Sequence, residues 1–459
     1  QAILGFHVVI SLIVLTVLSK LGSRSSLLKL LVHRLIRYIA PSNDELRALL
    51  PQKTETRAKK RKQQKDEEDI NGFNLPRQLP LELKTAYVRV DELERFPMYS
   101  SIHWLCLYVP ACAFIVFMSE AYLLWNDKST DINTSLVWLV VGIAFALQIL
   151  ARLTALLLSG SDEKSLLFSL SILTFFGLFV LTVFVDRFFD ISLLDAYTHL
   201  RTTAAKMANE EVVIKPESPL LLYISLVLLF STIGCGLIFP SFRYATMYSK
   251  AALIASPSTK ILMHSTFLLP MVIIALFTHP IKLYLTEGRR VWLTVHQLDI
   301  LRYYSSNNFS LSIHILVSVY ACIFWVFLRL VIFRPLLQAH LDLAYDKVSQ
   351  LQRQTGKIRN IELQSMIFRY YSYLCPAIAQ YLAPTTLILL LSILLKCTTG
   401  MTWSGVQPDI VEVTSDMASL SSIFNTTVCR AILSFSIISI TITNLGLSLT
   451  GVVYNGYFQ

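Results

Sequence analysis

Nine apolar blocks, each close to twenty residues long and separated by more polar stretches, limit what this chain can fold into. They run over 2–19, 102–125, 136–158, 165–185, 219–241, 261–285, 309–333, 371–395 and 430–453. A helix rises about 1.5 Å per residue, so about twenty residues cross a hydrocarbon layer of about 30 Å. No water is present there to satisfy backbone N–H and C=O groups, which leaves the helix as the form such blocks take. With 54% of its 459 residues apolar, 15% charged and a mean hydropathy of +0.56, the chain is too apolar for a soluble globule. The expected fold is all-α, a polytopic integral membrane helix bundle of about nine transmembrane helices plus interfacial amphipathic helices. Its parts are a first transmembrane helix (1–19), a basic cytosolic region (20–101), a bundle of six helices (102–333), a cytosolic helical elbow (334–370) and two last helices with a lumenal loop (371–459).

Positive side chains near span ends stay on the cytosolic side. With a lumenal N-terminus, 27 of the 40 Lys and Arg fall on cytosolic loops and 9 on lumenal ones. The N-x-S/T sequons agree, because Asn133, Asn308 and Asn425 all fall on loops that this orientation makes lumenal. A glycoprotein is therefore expected, with Asn425 the best placed acceptor since Asn133 and Asn308 crowd span ends. A cleaved signal peptide over 2–19 would turn all three sequons to the cytosol, and is set aside. The expected location is the endoplasmic reticulum or plasma membrane, N-terminus lumenal or extracellular.

The first cytosolic region has distinct parts. Leu27, Leu28, Leu31, Leu35 and Ile39 form an apolar stripe beside Arg24, Lys29, Arg34 and Arg37, the pattern of a helix lying against anionic lipid. Ser42 and Glu45 read as a capping box. Residues 53–69 hold Lys59, Lys60, Arg61 and Lys62 followed by Asp66, Glu67, Glu68 and Asp69, with too little apolar surface to fold alone. Such a cluster can mark nucleic-acid binding, but in a membrane chain a solvated linker is the plainer reading, and the net charge of +10 points to the membrane surface. Leu193, Tyr197, Leu200, Ala204 and Met207 predict a lumenal amphipathic helix, as do Val291, Val295 and Leu298.

Between Arg334 and Pro384 the pattern changes. Leu337, Leu341, Ala344, Val348 and Leu351 recur at helical spacing, with Gln338, Asp342, Asp346, Lys347 and Arg353 around the turn. Thr355-Gly356 should stop this helix, and a second should start with Asn360 as N-cap and enter a span kinked at Pro376 and Pro384. Two spans are thus joined by an elbow at the surface. The block Arg334-x-x-Leu337-Gln338-Ala339-x-Leu341-x-Leu343-Ala344 and the block Gln380-Tyr381-x-x-Pro384 resemble those of the transmembrane protein 161 family. The resemblance extends to the run from Gly234 to Arg243, to Ser119-Glu120-Ala121-Tyr122 and to Glu45-Leu46-Arg47, and covers most of the chain. It implies a multi-pass membrane protein linked to oxidative-stress resistance and to cardiac and neuronal excitability, with no active site to carry over.

Ionisable residues inside spans are the main site candidates, since a charge in hydrocarbon must pair, reach water or snorkel. Glu120 is too short to snorkel easily, and Lys282, after His279 and Pro280, sits at similar depth on the lumenal side, so the two are expected to pair. Arg152 and Arg329 lie near cytosolic ends and should snorkel. Gln148, Gln380 and Asn444 are expected to bond between helices, and Gly234 and Gly236 with Phe239-Pro240 mark a close approach and a helix break. Of the seven cysteines, Cys397 and Cys429 bracket the last lumenal loop, and a disulfide there is one possibility.

HExxH, P-loop, GxGxxG and GxSxG patterns are absent, and His340, Asp342 and Asp346 read as a solvated helix face rather than a metal site. No cofactor, metal or nucleic-acid partner is expected. The leading expectation is a non-enzymatic regulator of ion transport or of the response to oxidative stress, acting through the lipid bilayer, anionic lipid at its cytosolic face and a membrane-protein partner. A transporter or channel with a route near Glu120 and Lys282 is the alternative, and an intramembrane or lipid-modifying enzyme the third reading.

Overall fold

The computed structural model describes residues 6–24, 27–50, 72–125, 135–158, 161–207, 219–284, 307–399, 403 and 426–458. Eight of its helices are long and apolar enough to cross a membrane. They are α5 (Tyr99–Trp125), α6 (Ser135–Leu157), α7 (Ser161–Phe188), α9 (Leu220–Ile254), α10 (Pro257–Leu276), α11 (Asn307–Val331), α14 (Leu374–Thr398) and α15 (Thr426–Phe458). Helix α1 (Phe6–Arg24) carries a shorter apolar run, Val8–Lys20. The fold is the all-α polytopic bundle that the apolar blocks call for. Hydroxyls within it bond back to their own helices, as Thr182 does to the Leu178 carbonyl (2.8 Å) and Ser448 to that of Asn444 (2.7 Å). Such bonds satisfy polar groups that hydrocarbon cannot.

Helix α14 is the centre. From Leu374 to Lys396 every residue except Leu389 is buried, walled by α5, α6, α9, α11 and α15. Small residues set the approach distances. A Cβ on Gly142 of α6 would lie 3.0 Å from Leu390 of α14, and one on Gly451 of α15 would lie 2.8 Å from the Ala245 Cβ of α9. Gly236 likewise brings α9 onto Leu150 of α6, so the glycine pair of α9 serves packing. The expected break at Pro240 is not there, and α9 runs through it to Ile254.

On one face of the bundle, hereafter the basic face, two distant segments build a folded unit. The first holds α2 (Leu27–Val32), β1 (Ile36–Tyr38), α3 (Asn43–Ala48), β2 (Asn74–Pro76), β3 (Thr85–Tyr87) and α4 (Val90–Leu93). The second holds α12 (Phe333–Gln352), β4 (Lys357–Arg359) and α13 (Asn360–Ser372). Antiparallel β1 pairs with β3, Ile36 opposite Tyr87, and β2 pairs with β4, Asn74 opposite Arg359. Leu46, Leu75, Leu79, Val348, Leu363 and Ile367 form its own small core. Helix α3 carries the expected capping box of Ser42 and Glu45, and Gly356, at φ 120°, follows α12 where a stop was expected.

Several expectations change here. The amphipathic helix over 27–39 ends at Val32, because the chain turns through Arg34 (φ 68°) into β1. Its stripe residues Leu28 and Leu35 pack in the protein core rather than against lipid. In the elbow the expected stripe Leu337, Leu341, Ala344 and Val348 of α12 packs against protein while Arg334, Tyr345 and Lys347 are exposed, and His340, expected on the solvated face, is buried. Gln338 joins it to β1 as a backbone edge would, accepting from Ile36 N–H (2.9 Å) and donating to the Ile36 carbonyl (3.1 Å). Arg359, not Asn360, takes the cap position of α13. The Asn360 amide is fully buried instead, accepting from Phe73 N–H (2.9 Å) and donating to Asn43 (2.9 Å). Lumenal-stripe residues 193–207 do form a helix, α8 (Leu193–Met207), packed on α15 and α7, whereas 53–69 and 291–302 lie outside the described residues.

Two predictions follow from this unit. Asn360→Ala strands a half-buried N–H of Phe73, and should lower stability by about 1–3 kcal/mol, read as a fall in the melting midpoint of the detergent-purified chain. Burial, with Arg243 adding to it, holds the His340 imidazole down at about 3. Unfolded, that ring takes its proton below about pH 6.5, so the unfolded state binds more protons between there and about 3. Stability should therefore fall as pH drops below about 6.5, and a His340→Phe chain should lose part of that acid sensitivity in midpoints measured across pH.

Candidate functional site

Lys396 ends the buried run of α14 with 1% of its surface exposed, too deep to reach water by snorkelling. Its ammonium pairs with Glu120 Oε1 on α5 and lies 4.4 Å from the Trp403 ring centroid. Cys397 donates to the same carboxylate oxygen at 3.7 Å, and Tyr320 of α11 donates to the Trp403 carbonyl at 2.8 Å. The second Glu120 oxygen and the Ser119 hydroxyl are buried with no hydrogen-bond partner among the described residues.

The expected Glu120–Lys282 pair is therefore replaced. Helix α10 ends at Leu276, two residues before Thr278-His279-Pro280, where Thr278 bridges to Phe189. The chain breaks at Phe277 and Thr278, and Lys282 falls on a separate helical segment over 279–284, with Pro280 in its first turn. From there it meets Asp190 at 2.6 Å, and Arg430 of α15 meets the other Asp190 oxygen at 2.7 Å. Asp186, one turn earlier on α7, accepts from Leu193 N–H at the start of α8 (2.9 Å) and from Tyr223 of α9 (3.2 Å). His314 of α11, 2% exposed, bonds through Nε2 to the Leu276 carbonyl. Two carboxylates thus fasten α7, α8, α9, α15 and the end of α10. A cavity of about 250 Å³ beside them is lined by Asp186, Asp190, Asp195 and His279, yet no three metal-ligating side chains converge among the described residues.

The possible disulfide is also absent. The structure forms no bond between Cys397 and Cys429, and the Cys397 thiol is turned to Glu120. Gln380 is buried within α14, sixteen residues and thus about 24 Å along the helix from Lys396, so it belongs to neither cluster. Asn133 and Asn425 lie outside the described residues, and Asn308 sits in the first turn of α11.

Near the other end of the bundle Arg329 departs from the snorkelling expectation. It is 3% exposed, with its guanidinium 4.3 Å from the Tyr244 ring, 4.5 Å from Tyr381 and 5.0 Å from Trp325. Tyr381 also donates to the Arg329 carbonyl at 2.6 Å, which gives the tyrosine of the Gln380-Tyr381 block a structural task. A desolvated cation over aromatic faces gains about 2 kcal/mol per good contact. Arg152 is exposed as expected, and Asn444 accepts from Ser241 between α15 and α9 at 3.0 Å.

Sequence reasoning missed Lys396, Asp190 and Arg430. The signal for Lys396 was its place directly after an unbroken apolar run with no proline or glycine to end the helix before it. Asp190 and Arg430 stand at span ends, where a charge is ordinarily read as facing headgroups.

Spanning helices fixed by buried ion pairs, with a folded unit at one end, define a polytopic α-helical membrane protein. The family described as predicted transmembrane protein 161AB matches residues 2–416 and 407–459, and the chain belongs to it. No solved structure matches the chain.

Removing one member of a buried pair leaves the other charged and unpaired, at a cost of about 3–5 kcal/mol. Glu120→Gln and Lys396→Met should each lower the melting midpoint and the yield of folded protein, Lys396→Met without its charge less than Glu120→Gln. The double variant should recover much of the loss, a coupling that a double-mutant cycle reads directly. Glu120→Gln combined with Lys282→Met should show no such recovery.

Proposed function

We propose that the chain is a non-enzymatic regulator of ion handling or of the oxidative-stress response, acting through membrane-protein partners and through anionic lipid at its basic face. One observation carries this reading: Glu120 and Asp190 are each bound to cations of the chain itself, while other helices pack α14 along its length. Such a bundle is suited to hold surfaces in place for other proteins. The transport alternative relied on Glu120 and Lys282 lining one route, and they belong to different ion pairs. Helix α7 supplies a candidate partner surface, its exposed face carrying Phe168, Phe176, Phe179, Phe184 and Phe188. The positive bias supports a cytosolic basic face, with the N-terminus and Asn425 lumenal or extracellular in the endoplasmic reticulum or plasma membrane.

Reconstituted alone in vesicles, the chain should carry no K⁺, Na⁺, Ca²⁺ or Cl⁻ flux above empty vesicles. Cells lacking it should show altered ion currents or altered survival in peroxide, restored by re-expression. Flux from vesicles that hold only this chain, lost in a folded Glu120→Gln variant, would replace the regulator with a transporter.

A further inference from the structure

Between α12, α13 and the ends of α6 and α9 lies a cavity of about 950 Å³. Its charged lining is of one sign, Arg243 from α9 and Arg369 from α13, with no Asp or Glu among the described lining residues. His340 is fully buried behind this lining, with its ring against that of Tyr370. Arg243 and Arg369 are close enough for their charges to repel, and among the described residues neither forms an ion pair. The carboxylate whose field reaches the adjacent Tyr370 is Asp346, and Lys250 holds it at 3.1 Å. Two guanidinium groups facing one space are an arrangement that a bound anion relieves.

The level of the cavity narrows the anion. Arg243 is twenty-three residues into α9, about 35 Å along a helix whose apolar crossing needs about 30 Å, so it stands at the membrane boundary. Leu156, in the last turn of the α6 span, and Phe368 are both exposed and give the cavity an apolar rim. A ligand for this place has a phosphate at one end and hydrocarbon at the other. Phosphomonoesters carry close to two negative charges and are held bidentately by arginine, which matches two guanidinium groups better than a singly charged diester would.

We propose that this cavity binds the phosphomonoester headgroup of an anionic phospholipid, the phosphate held by Arg243 and Arg369, with the acyl chains leaving past Leu156 along α6. The inference rests on the reading of the basic face as lipid-contacting, and is independent of what the protein regulates.

The test is a titration of the purified full chain in detergent with dioctanoyl phosphatidic acid, dioctanoyl phosphatidylcholine or glycerol 3-phosphate, read as the melting midpoint. Phosphatidic acid should raise the midpoint saturably, phosphatidylcholine should not, and glycerol 3-phosphate should need about tenfold more or beyond. Arg243→Gln and Arg369→Gln should each raise the half-saturating concentration about tenfold. Their midpoints without lipid should hold or rise, because the repulsion is gone. Arg353→Gln, an exposed cation outside the cavity, should leave the response intact. Should Arg243→Gln fail to fold, Arg369→Gln at the exposed rim decides alone. An unchanged phosphatidic acid response in these variants, or an equal response to phosphatidylcholine, overturns the site. Glycerol 3-phosphate as potent as the lipid overturns the lipid assignment in favour of a soluble phosphate. None of these readings depends on flux, so the lipid site and the regulator reading fail separately.

Discussion

The Lys396–Glu120 pair is what allows a helix surrounded by other helices to end in a cation. A lysine on a lipid-facing helix would curl toward the headgroups, but α14 has protein on every side and Lys396 has no path outward. The charge has to be met where it is. Meeting it fixes the height and rotation of α5, because Glu120 must arrive at the last turn of α14, and Tyr320 bonded to the Trp403 carbonyl brings α11 to the same place. The Asp190 group applies the same rule with one carboxylate to two cations, while Asp186 stabilises the exposed N–H groups at the start of α8. Buried pairs of this kind add little net stability against apolar replacements, and their value lies in the register they impose.

At the other end the bundle and the folded unit on its basic face form one structure. Residues 27–98 have a core too small to stand alone, and half of it comes from 348–367. The sequence separation between β2 and β4 would make their pairing entropically costly in a free chain, though the cost grows only slowly with loop length. Here the spans between them bring both segments to the same face. Helix α13 joins α14 at Tyr373, and Arg329, stacked on Tyr381 of α14, seals the junction from the α11 side. A change in the elbow thus has a direct mechanical connection to the central helix.

How much of this was readable follows from the range of each interaction. The spans, the capping box at Ser42, the stop at Gly356 and the α8 stripe are written in residues within a few positions of each other, and all were legible. The partners of Glu120, Lys282 and Asn360 were not, since each depends on which of several distant segments the bundle brings near. Gln338 and Asp342 show the difficulty. They sit on the polar side of α12 and read as solvated, yet Gln338 completes the edge of β1 and bonds Asp342 at 2.8 Å, while Tyr38 donates to that carboxylate at 3.4 Å. A helix facing polar protein has the same pattern as one facing water. Lys282 had a local warning, because Pro280 sits well at the start of a helix and here opens a new segment after the break at 277–278.

The two faces treat their charges oppositely, and this asymmetry bears most directly on function. Away from the basic face, Glu120, Asp190, Lys396, Lys282 and Arg430 neutralise one another within the chain. At the basic face Arg37 pairs with Glu92 and Lys250 with Asp346, so carboxylates are present there too. Yet no described carboxylate lines the cavity that holds Arg243 and Arg369. Self-repulsion between cations in a half-buried space destabilises the fold, and one nearby carboxylate would remove it. A folded unit that satisfies buried Asn360 down to each amide atom is capable of placing such a carboxylate. Among the described lining residues of this one cavity there is none, which fits a negative charge supplied from outside the chain.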